Sequence, residues 1–351
     1  MKTLMSCLLL TGLGMSGVAQ TITPSVDDGS RVKSMRIMQT TVSQTQPGGS
    51  ILMPPRCDQS GNVYLRFYHQ QSPLLEPVYK LNTNGEQQVI YSLASDPDFG
   101  GKGHGGSEFA LDKNGDLYQL ASAADGTYIV AFNKDGAIRS KARLTPQIAV
   151  SHFAVFGSGK FLVAGTDRET ATNLNPHSLF TGVFDTDGNL KQKVVFPEDK
   201  AYEDAANRGD NDFFDPLREG GGNYVVERGA TEAGSDGNVY VVRWVHPAQV
   251  YAVSDTGRII RTFQVKPELE GRKPAFVHAG GEQLAFHFVG DSDKGDRRAI
   301  VTIVGLDGQQ RAVYDSTEMG VGLACYSREE KFMFLGSTKD GKLKIEFAGP
   351  N

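Results

Sequence analysis

The sequence predicts an all-β fold built from repeated hairpins. A short motif recurs at 58–64, 112–118 and 235–240, with an Asp-containing turn, a Gly and a hydrophobic strand that includes Tyr. A second hairpin type, with β-branched and aromatic strands around a tight turn ending in Gly, occurs at 78–85, 129–136, 183–188, 250–257 and 304–308. Asn-Gly and Asp-Gly turns between such strands indicate hairpins, because Gly accepts the positive φ that the turn requires. The 41 Gly residues and single Trp also fit a protein of strands and turns.

Pairing the two hairpin types yields units of four strands, each about the length of a propeller blade. The complete units lie at 50–94, 105–146, 148–196, 222–267 and 274–316. The C-terminal unit has only three strands, and the run Ser34–Val42 resembles a strand without a hairpin partner. A circular array would place that run in the last unit, which removes an exposed edge. We therefore expect a six-bladed β-propeller with four-stranded antiparallel blades, in which the N-terminal strand closes the last blade.

Residues 1–19 have the features of a secretory signal. Lys2 is followed by an apolar stretch over 4–18, and small residues precede a cleavage position after Ala19. The apolar stretch is shorter than the ~20 residues that a membrane-spanning helix needs. The chain is thus predicted to be exported, periplasmic or extracellular, without a membrane span. Residues 20–33 are expected to be a flexible segment and 34–351 the propeller.

Two cysteines, Cys57 and Cys325, lie outside the predicted signal. Each falls on the first strand of its blade, and ring closure makes the first and last blades neighbours. In an oxidising compartment a disulfide between them can persist, so a disulfide across the closure is predicted. The alternative is a pair of separate buried thiols, which the distance between the Cα atoms decides.

The stretch 197–221 breaks the repeat and is predicted to be an acidic insertion. It contains eight acidic and three basic residues, so its net charge of −5 equals that of the whole chain. Insertions in repeat folds form loops on one face, which is often the binding face. Asp210, Asp212 and Asp215 are therefore candidate binding residues, and the alternative is a solvated loop or short helix. The acidic balance argues against a nucleic-acid partner, since phosphate binding needs a basic surface.

His104, His152 and His278 are the candidates for a metal site. Each lies on or just before the first strand of a blade, and the innermost strands of a propeller line its channel. Three converging neutral imidazoles would hold a divalent metal ion with a position open for water. The alternative is that each His lies at a different depth and bonds to its own loop. The serines near glycines, Ser107 and Ser158, are not in the Gly-x-Ser-x-Gly elbow of a hydrolase.

The motif segments resemble the NHL-type repeats of six-bladed propellers and the exported bacterial propellers related to them. The matching segments are Pro55–Tyr64, Phe109–Tyr118 and Gly234–Tyr240, each followed by a second hairpin. The likeness extends over most of the chain after the signal. The resemblance implies the propeller fold, and it implies a place among proteins that include interaction scaffolds, lyases and lactonases.

A binding or scaffold module is the leading functional interpretation, because repeats are present and catalytic signatures were not found. Its loops, with the acidic insertion, would present a surface to a protein, peptide or glycan partner, and the chain is expected to be a monomer. The alternative is a metal-dependent hydrolase or lyase with its site at the channel. A convergent cluster of His and acids in the channel would favour chemistry, whereas an apolar or scattered channel would favour docking.

Overall fold

The computed structural model describes residues 32–43, 50–68, 77–99, 104–167, 179–199, 229–244, 247–290, 295–320, 322–327 and 330–351. Within these ranges the chain forms 24 β-strands, which begin with β1 (Val32–Val42). Sixteen of the strands form four separate sheets, and each sheet has four strands that pair in chain order. All neighbouring strands within these sheets are antiparallel, as the hairpin pattern predicts.

The bounds of these four sheets follow the predicted units closely. The first sheet contains β2 (Ser50–Cys57), β3 (Val63–Tyr68), β4 (Val78–Leu81) and β5 (Gln87–Tyr91). The second contains β6 (His104–Leu111), β7 (Leu117–Ala123), β8 (Gly126–Phe132) and β9 (Ile138–Arg143). The third contains β10 (Ile148–Val155), β11 (Phe161–Asp167), β12 (Leu179–Phe184) and β13 (Leu190–Lys193). The fourth contains β14 (Ala230–Ala233), β15 (Val239–Arg243), β16 (Ala248–Val253) and β17 (Ile259–Val265).

The remaining strands form one eight-stranded sheet rather than two separate blades, which corrects the prediction of six separate sheets. Its strands are β18 (Lys273–Gly280), β19 (Gln283–Val289), β20 (Ala299–Gly305), β21 (Gln310–Asp315), β22 (Gly322–Tyr326), β23 (Phe332–Ser337), β24 (Leu343–Pro350) and β1. The physical reason is that β1 has two partners. It pairs antiparallel with β24 along most of its length and in parallel with β21 over Val32–Ser34.

The strand β1 also starts earlier than the sequence pattern indicated. Val32 and Lys33 pair with Val313 and Tyr314, so the strand includes two residues that were predicted to be flexible. A parallel partner some 280 residues away leaves no local trace in the sequence, which explains the difference. The predicted signal, residues 1–19, lies outside the described residues. Among the described residues, no helix is long and apolar enough to cross a bilayer.

The first strands of successive groups contact each other in a closed cycle. The contacts run from β2 to β6, β10, β14, β18 and β22, and from β22 back to β2. Apolar clusters fill the space between neighbouring sheets; one of them joins Phe156 and Leu162 of the third sheet region to Val239 and Tyr251 of the fourth. The fold is therefore all-β and propeller-like, with the inner strands around a common centre.

The recurring Asp-Gly-Tyr motif turns out to build the turn between the first two strands of a sheet. Oδ1 of Asp58 accepts the backbone N–H two residues further on at 2.9 Å, and Gly61 takes φ = 78°. The hydroxyl of Tyr64 donates to Oδ2 of Asp58 at 3.2 Å, and Tyr240 donates to Asp236 in the same way at 3.0 Å. The motif residues therefore fix the geometry of the turn.

Replacing Asp236 with alanine is expected to lower the free energy of unfolding by about 1–2 kcal/mol, because the turn N–H groups and a buried tyrosine hydroxyl lose their acceptor. Urea denaturation measures the change. Asp340→Ala is the matched control, since Asp340 also lies in a turn but is exposed, and its carboxylate contacts the side chains of Thr338 and Lys342 without a tyrosine. The control is expected to change stability by less than about 0.5 kcal/mol. Equal effects of both substitutions would contradict a role for the Asp–Tyr bond.

Candidate functional site

Charged and imidazole side chains from five of the inner strands meet at the centre of the ring. We call this group the ring cluster; its members are Arg56 of β2, Glu108 of β6, His152 of β10, Glu232 of β14 and His278 of β18. Buried charged groups are rare unless they are paired, so such a concentration marks the site at which the fold departs from ordinary core packing.

The ion pair between Arg56 and Glu232 spans the ring. In the cycle of inner strands β14 lies opposite β2, and Nη1 of Arg56 donates to Oε1 of Glu232. The other oxygen, Oε2, accepts the backbone N–H of Ala279 at 3.2 Å. Both side chains are about nine-tenths buried, with relative exposures of 10% and 9%. Burial raises the pKa of Glu232, and the Arg56 guanidinium and the Ala279 N–H oppose that effect.

Glu108 and His152 form a second pair next to the first. Oε1 of Glu108 lies 3.5 Å from Nδ1 of His152, and the two side chains are mostly buried. Burial alone would raise the pKa of Glu108, but the His152 imidazole and the guanidinium groups of Arg56 and Arg66 hold it below its ordinary value. The carboxylate favours the imidazole tautomer with the proton on Nδ1, which leaves a lone pair on Nε2.

Irregularities in the inner strands help to place these side chains. The register shifts between Leu52 and Arg56 in β2 and between Val150 and His152 in β10. In β6 the shift between Gly105 and Phe109 includes Glu108. A β-bulge bends its strand and re-aims a side chain, and bulges are frequent at barrel rims and next to binding sites.

A cavity of about 20 Å³ lies between the third and fourth sheets, beside the ring cluster. Its lining includes His152, Gly165, Phe180, Thr231 and Arg243. Two polar atoms on this lining, Nε2 of His152 and Oγ1 of Thr231, are buried and have no hydrogen-bond partner in the described part of the chain. A cavity of this size holds about one water-sized group.

The predicted three-histidine metal site can be checked for two of its members. His278 is buried, and its Nε2 lies 2.8 Å from the carbonyl oxygen of Leu323, so this nitrogen carries the proton and is not available to a metal. His152 is paired with Glu108, on an inner strand that is not adjacent to that of His278. The side chain of His104 lies outside the described residues. Within the described ranges, no group of three or more metal-ligating side chains was found.

The candidate binding residues Asp210, Asp212 and Asp215 also lie outside the described residues. Of the acidic insertion only residues 197–199 are described. Asp199 accepts a hydrogen bond from Nη2 of Arg243 at 2.5 Å, and the Arg243 guanidinium lies 4.3 Å from the centre of the Phe196 ring. The start of the insertion is therefore anchored to the fourth sheet.

Polar or covalent contacts cross every junction of the ring. They are Arg66 Nη2 to Gln119 Oε1 at 2.6 Å, Glu108 to His152, Arg243 to Asp199, Ala279 N–H to Glu232, His278 to the Leu323 carbonyl, and the disulfide Cys57–Cys325. The disulfide joins the two cysteines that the sequence predicted to meet, and their Cα atoms are 5.7 Å apart. It connects β2 to β22, the inner strands on either side of the ring closure.

A second buried histidine, His287, lies near the cluster on β19. Its ring stacks on Phe276 and meets Phe334 edge-on, and neither nitrogen has a hydrogen-bond partner within the described residues. Burial lowers the pKa of His287 to about 4. Burial and the nearby Arg56 lower the pKa of His278 to about 3.

These two histidines predict a loss of stability in mild acid. Both pKa values in the folded state lie below the ordinary value of 6.5, so the folded chain binds fewer protons than the unfolded chain. Their effect on stability is absent well above pH 6.5 and grows as the pH falls from 6.5 towards 4, by about 1.4 kcal/mol per pH unit for each histidine. Urea denaturation between neutral pH and pH 5 measures the slope. In His287→Phe the slope is expected to fall by about 1.4 kcal/mol per pH unit, and an unchanged slope would contradict this assignment.

Sequence reasoning missed Arg56, Glu108 and Glu232. A signal for two of them was present: in the sheet register Arg56 pairs with Tyr64 and Glu232 with Tyr240, so both occupy the position eight residues before the motif tyrosine. For the motif copy at 112–118, the residue eight positions before the tyrosine is Ala110, which pairs with Tyr118. A charge at a position that is apolar in another repeat is the feature that could have identified them.

Comparison with known proteins shows the fold. No family profile matches the chain, and no curated protein matches its sequence. A protein of Bacteroides fragilis described as exported has a TM-score of 0.54 and 12% identity, covering 90% of this chain and 95% of its own. A protein of unknown function from Dyadobacter fermentans has a TM-score of 0.51 and 11% identity, covering 91% of this chain and all of its own. Virginiamycin B lyase of Staphylococcus aureus has a TM-score of 0.45 and 13% identity, with 87% and 82% covered. The proteins of Bacteroides fragilis and Dyadobacter fermentans share the overall fold of this chain, and the strands of the chain itself show that this fold is all-β and propeller-like.

Proposed function

We propose that the protein is an exported, monomeric β-propeller that acts as a binding module for a protein, peptide or glycan partner. The observation that supports this function is the pairing within the ring cluster. Arg56 and Glu232 neutralise each other, and His278 is bonded to a backbone carbonyl. A reacting centre needs groups that are free to touch a substrate, whereas a binding platform needs a rigid frame that holds its loops in place.

The ring is inferred to consist of six blades of the NHL-related type. Six inner strands contact each other in a closed cycle, which supports one blade for each of them. The eight-stranded sheet divides naturally between β21 and β1, because only three residue pairs join those two strands, whereas β1 and β24 are paired from Met35 to Val42. The last blade then contains β22, β23, β24 and β1. Export is supported by the disulfide, since disulfides persist in oxidising compartments.

Arrays of immobilised glycans and peptides test the binding function. The folded chain is applied as the probe, and saturable binding to a restricted set of chemically related ligands is expected. The variant Asp210→Asn/Asp212→Asn/Asp215→Asn, which removes the charge of the insertion but keeps its size, is expected to bind at least tenfold more weakly. Unchanged binding by this variant would remove the insertion from the site. The absence of any restricted ligand set would contradict the binding function itself.

A hydrolase or lyase remains a second candidate, because the ring cluster is a convergent group of His and acids. The observation in its favour is the Glu108–His152 pair, in which a carboxylate faces Nδ1 while Nε2 has no hydrogen-bond partner among the described residues. This is the arrangement of a general base whose imidazolium is stabilised by an acid. Metal analysis of the chain purified without added ions separates the metal-dependent form of this candidate from the others. Stoichiometric zinc or iron that is lost in His152→Ala would support a metal-dependent enzyme. Only traces of metal would rule out the metal-dependent form.

A further inference from the structure

The cavity between the third and fourth sheets has a polar lining whose hydrogen-bonding capacity is unused. Thr231 is 3% exposed, yet neither its hydroxyl nor Nε2 of His152 has a hydrogen-bond partner among the described residues. Leaving a buried polar group without a hydrogen bond is unfavourable, and native structures rarely do so without a ligand or water at the site. The Arg243 guanidinium, which also lines the cavity, donates to Asp199.

The two unpaired atoms differ in what they require. In the neutral imidazole the Glu108 carboxylate favours the tautomer with the proton of His152 on Nδ1, and in this form Nε2 accepts a hydrogen bond and needs a donor. The Thr231 hydroxyl can donate as well as accept. A group that donates to Nε2 and accepts from Thr231 therefore satisfies both. A hydroxyl group has these properties and is of the size that a cavity of about 20 Å³ accepts.

We propose that this cavity is a subsite for a hydroxyl group of a neutral polyol or sugar, which bridges His152 Nε2 and Thr231 Oγ1. The subsite rests on the proposed binding function and narrows its ligand to a glycan. When no ligand is present, a water molecule takes the same place. The ring of Phe180 forms an apolar part of the wall, suited to the C–H face of such a ligand.

A carboxylate or phosphate ligand fits these groups less well. Nε2 in this tautomer repels an acceptor, and Glu108, at 3.5 Å from the other side of the imidazole, adds a negative charge. A larger apolar group would leave both polar atoms unpaired. The site therefore selects by donors and acceptors rather than by charge, and an analogue without the hydroxyl proton is rejected because it cannot satisfy Nε2.

Long-range proton–nitrogen NMR of the imidazole groups tests the proposal. Glycerol, D-glucose and D-mannose are titrated into the intact chain, and 1,2-dimethoxyethane, which accepts but does not donate, is the matched ligand control. A saturable shift of the His152 Nε2 resonance is expected with at least one of the three hydroxyl compounds and not with dimethoxyethane. Thr231→Val, which keeps the shape but lacks the hydroxyl, is expected to weaken that binding at least tenfold.

Thr302→Val is the matched protein control. Thr302 is also buried and its hydroxyl has no partner in the described ranges, but it lies on β20 and does not line the cavity. This variant is expected to bind like the natural chain. No saturable shift with any of the three compounds would show that the cavity holds water only and would overturn the proposal. The array experiment measures binding by the whole chain and not by this cavity alone. Array binding by the natural chain without an NMR response would therefore overturn the subsite and leave the binding function standing.

Discussion

Glu232→Ala is expected to lower the free energy of unfolding by about 3–5 kcal/mol, the largest effect that we predict for a single substitution. The substitution leaves the Arg56 guanidinium buried without its carboxylate partner. It also removes the acceptor of the Ala279 N–H. Since a small domain is stable by only about 5–15 kcal/mol, a loss of this size is easily detected by urea denaturation.

The double variant Arg56→Met/Glu232→Leu separates the contribution of the ion pair to stability from the contribution of side-chain packing. Replacing a buried ion pair by apolar residues of similar volume is often neutral or stabilising, so this variant is expected to be within about 2 kcal/mol of the natural chain. Glu232→Gln should lie between the two, because it keeps an acceptor and loses the charge. Equal stability of Glu232→Ala and the double variant would contradict this account, because it would show that a buried Arg56 without its partner costs nothing.

Removing the disulfide is expected to lower the free energy of unfolding by about 2–5 kcal/mol. The bridge joins Cys57 to Cys325, 268 residues apart in the chain, so it restricts the unfolded state over almost the whole molecule. The chain-entropy argument gives roughly 5.6 kcal/mol for so long a loop, and strain in the folded state usually reduces the measured value. The pairing of β1 with β24 already joins the two ends of the folded chain without a covalent bond.

Cys57→Ser/Cys325→Ser is compared with the natural chain under oxidising and reducing conditions. The reductant is expected to destabilise the natural chain by about the same amount as the substitutions do. It should have no effect on the double serine variant, which serves as the control. A change below about 0.5 kcal/mol in both comparisons would contradict a role of the disulfide in holding the ring closed.

The hairpin pattern predicted most of the fold because turn chemistry is local. The Asn-Gly and Asp-Gly turns and the alternating strands located the sheets, and the incomplete C-terminal unit indicated where β1 belongs. The same assignment of strands to blades predicted that Cys57 and Cys325 are neighbours, and the structure joins them in a disulfide. What it could not predict is the parallel pairing of Val32–Ser34 with β21, since a partner so distant in the chain has no local sequence signal.

The site was harder to predict for a related reason. The sequence drew attention to histidines, and the structure places His152 and His278 in the ring cluster, but it gives each of them a protein partner. Those partners, the Glu108 carboxylate and the Leu323 carbonyl, come from other sheets or strands. One extra residue before His152 shifts the side-chain alternation of β10. In β2 and β6 the regular pairing is interrupted beside Arg56 and around Glu108, so a simple two-residue period does not predict which residues of these strands face the centre.

The central claim is that the Arg56–Glu232 ion pair holds the frame of the ring and does not contact the partner. The most direct test applies Arg56→Met/Glu232→Leu to the same glycan and peptide arrays as the natural chain. We predict that the variant keeps the circular-dichroism spectrum, the melting temperature within a few degrees and the same set of bound ligands. Loss of that set by a variant that is still folded would contradict the claim, because it would show that the Arg56–Glu232 pair is part of the binding site.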